Sequence, residues 1–283
     1  MHSSLVDEMI RAQFPHWHGL PLVELEHGGT DHTIYRLGDE LAVRLPRVEE
    51  ARDQAARDFE VLPRLAPHLP LAVPEPVALG APTERYPYRW SVVRWLPGEV
   101  STIEAAGPHT GARLAEFLLA LQKADTTGEP WTTYRGRHDI SVGDAGVRWA
   151  IAKLGGDPVF TAIWDEAVAA PRWRGPLTWV HADLHRGNLL FTGDELTGVI
   201  DWGRAAAGDP AGDLMTAWWF LDERGRAQFR RELDGVDDAT WARARGWALE
   251  FAVLELARRG DGNPFLAGIA RHTLAQLRAE RAG

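Results

Sequence analysis

A chain of 283 residues is long enough for one large domain or two lobes, and 45% hydrophobic with 25% charged residues is the balance of a folded globular protein, not of a disordered one. The absence of cysteine excludes disulfide staples and thiolate metal sites and fits a reducing compartment, with the cytoplasm as the expected location. A formal net charge of −9 removes the main attraction to nucleic acid and favours a cationic small partner, while most such charges simply solvate a surface. No apolar run approaches the ~18 residues of a membrane span, and the N-terminal stretch "MHSSLVDEMIRAQFPHWHG" lacks the apolar core of a signal peptide, so no membrane partner is expected.

In chain order, short β-favouring runs at Leu22 to Leu25, Thr33 to Leu37 and Leu41 to Leu45 predict a three-stranded meander, punctuated by Gly28, Gly29 and the Gly38-Asp39 pair. Ala55, Phe59, Leu62 and Leu65 then recur at helical spacing until Pro67 and Pro70 end the pattern. The stretches "VPEPVALG" and "WSVVRWLPG" supply two more strands. Beyond Gly98 the texture becomes helical, first in "GARLAEFLLALQKAD" and later in "FTAIWDEAVAA", "DLMTAWWFLDERGRAQFRREL", "ATWARARGWALEFAVLELARR" and "FLAGIARHTLAQLRAE". Short β runs interrupt these helices at Thr178 to Val180, Leu189 to Phe191 and Gly198 to Ile200, whereas residues 126–156 carry no assignable pattern. The expected architecture is α+β and bilobal. A β-rich lobe over 1–95 with one helix joins, through a hinge near 94–98, a larger and mainly helical lobe over 96–283. A ligand in the cleft between two such lobes is a common arrangement.

One stretch breaks the hydrophobic logic. In "HADLHRGNLL", residues 181 to 190, polar side chains crowd the entrance to an apolar strand. His181, Asp183 and Asn188 follow the pattern HxDxxxxN, and Asp201 arrives 18 residues after Asp183 at the end of another β run, in "VIDWG". Phosphoryl transfer needs these residue types. One carboxylate holds and deprotonates the attacking hydroxyl, and an amide oxygen with a second carboxylate binds Mg²⁺ on the nucleotide phosphates. Any one Asp or Asn of this kind more often caps a turn, so the joint pattern carries the weight. His181 and His185 read as supports of the loop, and no cysteine or HExxH arrangement accompanies them to suggest zinc.

With "GVIDWGRAAAGDPAGDL", "DHTIYRLGDELAVRLPR", "LPRLAPHLPLAVPEPVALG" and "WSVVRWLPGE" added, nearly the whole chain resembles the aminoglycoside phosphotransferase and choline-kinase-like family, a small-molecule branch of the protein-kinase fold. That resemblance implies Asp183 as catalytic base, Asn188 and Asp201 as magnesium ligands, and ATP or GTP as phosphoryl donor. It also implies that Asp209 and Asp213, in "GDPAGDL", brace the catalytic loop. Gly28 and Gly29 would approach the phosphates, although "GGTDH" lacks the third glycine of GxGxxG. Arg44, in "LAVRLPR", stands where the kinase fold usually has lysine, and its fork can still clamp phosphate oxygens. Glu60 is the expected carboxylate partner of Arg44, with Asp58 as competitor on another helix face. At the hinge, the backbone of Arg94 and Leu96 would meet the nucleotide base, with Val93 behind it. Ala182 and Arg186 stand where relatives usually have glycine and proline.

The acceptor is less legible. Trp218, Trp219, Trp241 and Trp247 fall at helical spacings and read as core. Asp213, Asp222, Glu250 and Glu255 either line a pocket for a cationic acceptor or form solvated faces. The expected function is Mg²⁺-dependent phosphotransfer from ATP or GTP to a hydroxyl of an aminoglycoside-like or other antibiotic, hence antibiotic resistance. Two alternatives stand beside it: a housekeeping kinase of choline, homoserine or sugar type, and a catalytically silent nucleotide-binding module. A protein kinase fits poorly, because no activation segment ending in an APE-like motif follows Asp201.

Overall fold

The computed structural model describes residues 2–25, 31–101, 105–129 and 139–282. The chain divides into two compact units, residues 1–98 with 198–203, and residues 99–197 with 204–283. Two features differ from the expected division. The boundary falls after Gly98, not after Trp95, and the six residues carrying Asp201 go with the first unit although they follow most of the second in sequence. The reason is pairing. Gly198 forms a parallel bridge with Ala72, and the Val199 N–H donates to the Ala72 carbonyl at 2.8 Å.

The first unit is an antiparallel five-stranded sheet in the order β1-β2-β3-β5-β4, formed by β1 (Leu22–Glu24), β2 (His32–Leu37), β3 (Leu41–Pro46), β4 (Pro76–Gly80) and β5 (Trp90–Arg94). Helix α1 (Ser3–Gln13), which the sequence pattern did not announce, packs Val6, Met9 and Ile10 into a core with Tyr35, Val43, Leu45, Trp90 and Val92. A Cβ on Gly80 would fall 2.0 Å from the Trp90 indole, so only glycine lets that ring lie across the end of β4. Every residue of β3 is buried, including Arg44 at its centre, opposite Ile34 on β2 and Ser91 on β5. Helix α2 (Gln54–Leu65) buries Gln54, Ala55, Asp58, Val61, Leu62 and Leu65 and leaves Phe59 half-buried, so its inward stripe contains two polar residues.

The second unit is mainly helical. It comprises β6 (Glu99–Val100), α3 (Pro108–Lys123), α4 (Asp144–Lys153), α5 (Pro158–Ala169), β7 (Thr178–Val180), β8 (Leu189–Thr192), β9 (Glu195–Val199), whose end passes into the first unit, and β10 (Ala206–Gly208). Five further helices follow: α6 (Ala211–Leu214), α7 (Thr216–Trp219), α8 (Glu223–Glu232), α9 (Asp238–Arg259) and α10 (Pro264–Ala282). The helix expected from Asp213 to Leu233 is broken, because Phe220 leaves helical dihedrals and the Asp222 carboxylate caps a new helix by accepting from the Gly225 N–H at 2.6 Å. Residues 139–156 of the unassigned stretch hold α4, and residues 130–138 lie outside those described. Helix α9 is buried nearly all round, with Arg243 and Glu255 among its buried residues, and it buries Trp241 and Trp247; Trp218 and Trp219 are core as well. No helix among the described residues is long and apolar enough to cross a membrane.

Candidate active site

In the first unit, the site residues gather around Arg44. Its Nη1 donates to Asp58 Oδ2 at 2.5 Å, and its Nη2 makes a longer bond of 3.3 Å to Asp201 Oδ1. Helix geometry decides which carboxylate it meets. Asp58 lies four residues before the buried Leu62 and shares its face, whereas Glu60 is rotated to the opposite side, exposed, and 3.9 Å from Arg57. The expected Arg44–Glu60 pair is therefore replaced by Arg44–Asp58: arginine has the longer reach of the two cations, and the shorter aspartate complements it.

Burial dominates the electrostatics here. It pushes the Asp58 carboxyl up to about 6, against the pull of Arg44, and it pushes His32 down to about 3, with Arg44 adding to the effect. Burial also opposes the charge of Arg44, but Asp58 and Asp201 hold the guanidinium protonated above its ordinary range. His32 was not singled out in the sequence, and near neutral pH it is an uncharged ring beside a charged cluster.

Asp201 has a φ of 64°, in the left-handed region, which aspartate tolerates better than most residues. Its side chain remains 41% exposed despite the contact with Arg44. At the end of β5, the Arg94 N–H donates to the Glu75 carbonyl and the Trp95 N–H to the Glu40 carbonyl, and Val93 is buried. Gly28 and Gly29 lie outside the described residues.

In the second unit, the loop after β7 carries Asp183 and Asn188. The carboxylate of Asp213, at the start of the helical segment after β10, accepts from the His181 N–H at 2.8 Å and from the Ala182 N–H at 2.6 Å. Both backbone groups are buried, and Ala182 turns the chain with a φ of 67°. Burial pushes the Asp213 carboxyl up to about 7, opposed by these two N–H groups and reinforced by Asp183. Asp213 thus braces the loop directly. Asp209 braces what lies behind it: its oxygens take a two-pronged grip from buried Arg243, at 2.7 and 3.2 Å, and one also accepts from the Ala211 N–H.

The Asn188 Nδ2 donates to the Asp183 carbonyl at 2.9 Å, which orients the amide and directs its Oδ1 away from that bond. An arginine and a histidine flank the Asp183 carboxylate, each 3.9 Å from Oδ2: the Nε of Arg204 and the Nε2 of His185. The Gly187 N–H donates to His185 Nδ1, which places the proton of a neutral ring on Nε2, toward Asp183. Arg204 was missed in the sequence because its approach to Asp183 depends on tertiary folding across 21 residues.

Asn188 in the second unit and Asp201 in the first each carry a hard oxygen of the kind magnesium takes, and Mg²⁺ usually keeps waters and phosphate oxygens for most of its positions. Among the described residues there is no group of three or more His, Cys, Asp and Glu able to hold a metal alone.

An antiparallel sheet with the buried cation Arg44, followed by a helical unit with a braced HxDxxxxN loop, is the kinase-like fold. The model of the phosphotransferase enzyme family (APH) matches residues 22–247, and the chain belongs to this family. A variant of aminoglycoside 2'-phosphotransferase-IIIa in complex with GDP shares the fold with a TM-score of 0.74, at 18% identity, over 100% of this chain and 99% of its own. Macrolide 2'-phosphotransferase from Brachybacterium faecium aligns with a TM-score of 0.62, at 23% identity, over 97% and 98% of the two chains. In sequence, thiamine kinase of Escherichia coli O1:K1 is 26% identical over 230 residues, which cover 75% of this chain and 70% of the kinase.

Proposed function

We propose that the protein transfers the γ-phosphoryl group of ATP or GTP to a hydroxyl of a small molecule, with an antibiotic as the leading acceptor class. The observation that carries this reading is the Asp183 loop. A buried carboxylate, two backbone N–H groups and the Asn188 amide fix its shape, while the Asp183 side chain itself stays 18% exposed. Such preorganisation suits a group that must meet a hydroxyl in one orientation. Asp183 holds the acceptor hydroxyl and takes its proton as the oxygen attacks the γ-phosphorus. The bond to the bridging oxygen breaks, and the nucleoside diphosphate leaves.

Arg44, steadied by Asp58, would offer its guanidinium to phosphate oxygens, and Gly28 and Gly29, expected from the sequence to approach the phosphates, lie outside the described residues. Glu60, exposed and 3.9 Å from Arg57, is not given a part in this reading. The base of the nucleotide would meet the Arg94 carbonyl and the Leu96 backbone, since the Arg94 N–H is already engaged with Glu75. Asn188 and Asp201 would hold Mg²⁺, which supplies charge neutralisation on the phosphates when bound. The relationship to thiamine kinase supports a second reading with the same chemistry, in which the acceptor is a housekeeping metabolite.

The test is a magnesium-dependent transfer assay with ATP and GTP against aminoglycosides, macrolides, thiamine, choline and sugars. The expected result is transfer to at least one acceptor, abolished by EDTA and reduced at least ~10³-fold in Asp183→Asn. Wild-type turnover by Asp183→Asn would remove the assignment of the base. Magnesium-dependent nucleotide binding with no transfer to any acceptor would favour a silent module.

A further inference from the structure

The groups around Asp183 in the second unit bear on what carries the hydroxyl. Phe265, near the start of α10, is a large apolar side chain that stays 38% exposed, and it lies against the catalytic loop. A Cβ on Gly187 would fall 2.8 Å from its ring, so the loop glycine is what admits it. The ring meets His185 edge-on at 5.7 Å between centroids, and the Arg186 guanidinium stacks over it at 5.0 Å. Behind His185, at 6.4 Å, is the buried Trp219, itself packed at 4.8 Å on Phe251. An aromatic row therefore runs from the core to the surface beside the Asp183 carboxylate.

The positive charges beside that row belong to two arginines. Arg204 flanks Asp183 with His185, and Arg186 lies along Phe265. The four carboxylates named from the sequence as candidates for a cationic acceptor are engaged elsewhere. Asp213 holds the backbone of the loop, Asp222 caps α8, and Glu255 is buried and paired with Arg259 at 2.8 Å. Glu250 is turned to the Gly143 backbone, where a Cβ would meet its Oε1 at 2.6 Å. Like charges brought close to Arg186 and Arg204 are repelled, whereas an apolar face laid on an exposed aromatic ring gains by leaving water.

We propose that the acceptor is a neutral, hydroxyl-bearing molecule with an apolar face, not a polycation, and that Phe265 is the platform that sets this preference. The inference rests on the phosphotransfer reading and narrows its acceptor. It replaces the cationic acceptor suggested by net charge, because among the described residues the charged side chains set against Asp183 and Phe265 are Arg204 and Arg186.

The experiment uses the full chain, with Mg-ATP and Mg-GTP, and three acceptor sets: neutral macrolactone alcohols, neutral aromatic alcohols, and amino sugars with several ammonium groups. Transfer is measured by steady-state kinetics, and binding by calorimetry without nucleotide. At least one neutral set is expected to show kcat/KM at least ~10-fold above the amino sugars. Phe265→Ala should raise KM for the preferred acceptor by about tenfold with kcat within about threefold, the signature of lost uniform binding. Phe265→Leu, which keeps an apolar side chain against the loop, should retain most of the affinity and separates this effect from misfolding. Arg186→Glu should improve amino-sugar binding.

Preference of the wild type for amino sugars, absence of binding by every neutral compound, or an unchanged KM in Phe265→Ala would overturn the proposal. The two readings fail separately. Preferential transfer to amino sugars leaves phosphotransfer standing and removes the neutral acceptor. Calorimetric binding of neutral alcohols that depends on Phe265, without any transfer, does the reverse.

Discussion

Arg44 and Asp183 sit in regions that are held in place by different means. Around Arg44, side chains hold side chains: a guanidinium between two carboxylates, with a neutral imidazole nearby. Around Asp183, a side chain holds the backbone: the Asp213 carboxylate grips two consecutive N–H groups and so fixes the path of the loop. The first arrangement depends on charge and reach, so it can be rebuilt with another pair of matching length. The second depends on a backbone turn that only an acceptor at one position can satisfy, so substitutions there have little room for compensation.

The largest expected effect is at the backbone clamp. Asp213→Ala leaves two buried N–H groups without acceptors and should lower stability by roughly 2–5 kcal/mol in urea unfolding, with transfer activity lost in parallel. Asp213→Asn keeps one acceptor and should fall between that variant and the wild type. A loss below about 1 kcal/mol in Asp213→Ala would erase the contrast between the two regions, because it would mean that the loop holds itself.

The side-chain cluster should behave otherwise. Arg44→Lys and Asp58→Glu are each expected to weaken nucleotide binding by about tenfold, and the double variant to recover to within about threefold, because a shorter cation then faces a longer acid. Calorimetry with non-hydrolysable nucleotide measures the cycle. Additive losses would show that reach is not what couples the pair.

The third test is pH. Burial raises the carboxyls of Asp58 and Asp213, to about 6 and about 7, above their ordinary value of 3.8. Between the ordinary and raised values the folded chain binds more protons than the unfolded one, so stability falls as pH rises. The contribution of these groups is complete below about pH 4 and is lost on passing from pH 4 through about 7, a change on the order of 1 kcal/mol or more. Unfolding curves at pH 5 and pH 7.5 should differ in that direction, and Asp213→Asn should flatten the slope.

The smallest effect belongs to Ala182. Its left-handed dihedral costs ~1 kcal/mol, which glycine would release while adding a similar entropy to the unfolded chain. Ala182→Gly should therefore move the denaturation midpoint only slightly, by less than about 1 kcal/mol equivalent.

Much of the site was legible because its elements are local. Asp183 and Asn188 lie five residues apart on one loop, and Asn188 reaches the Asp183 carbonyl with its amide. Alternating and helical periodicities located most strands and helices. Where they failed, the cause was specific. Helix α1 begins without a capping side chain, and the break at Phe220 depends on the pairing of Ala106 with Leu221. The choice between Asp58 and Glu60 could have been read from the sequence by rotating the helix from Leu62, since the buried stripe passes through Asp58.

By itself, then, the sequence determined the kinase-like fold and the polar loop that carries Asp183 and Asn188, because these are set by periodicity and by residues close in the chain. Only the tertiary structure decided that Arg44 pairs with Asp58, that Asp213 grips the loop by its backbone, and that Arg204 and His185 flank Asp183 with Phe265 against His185. Those choices join residues tens of positions apart, and burial, reach and backbone geometry select among partners that are chemically alike on paper.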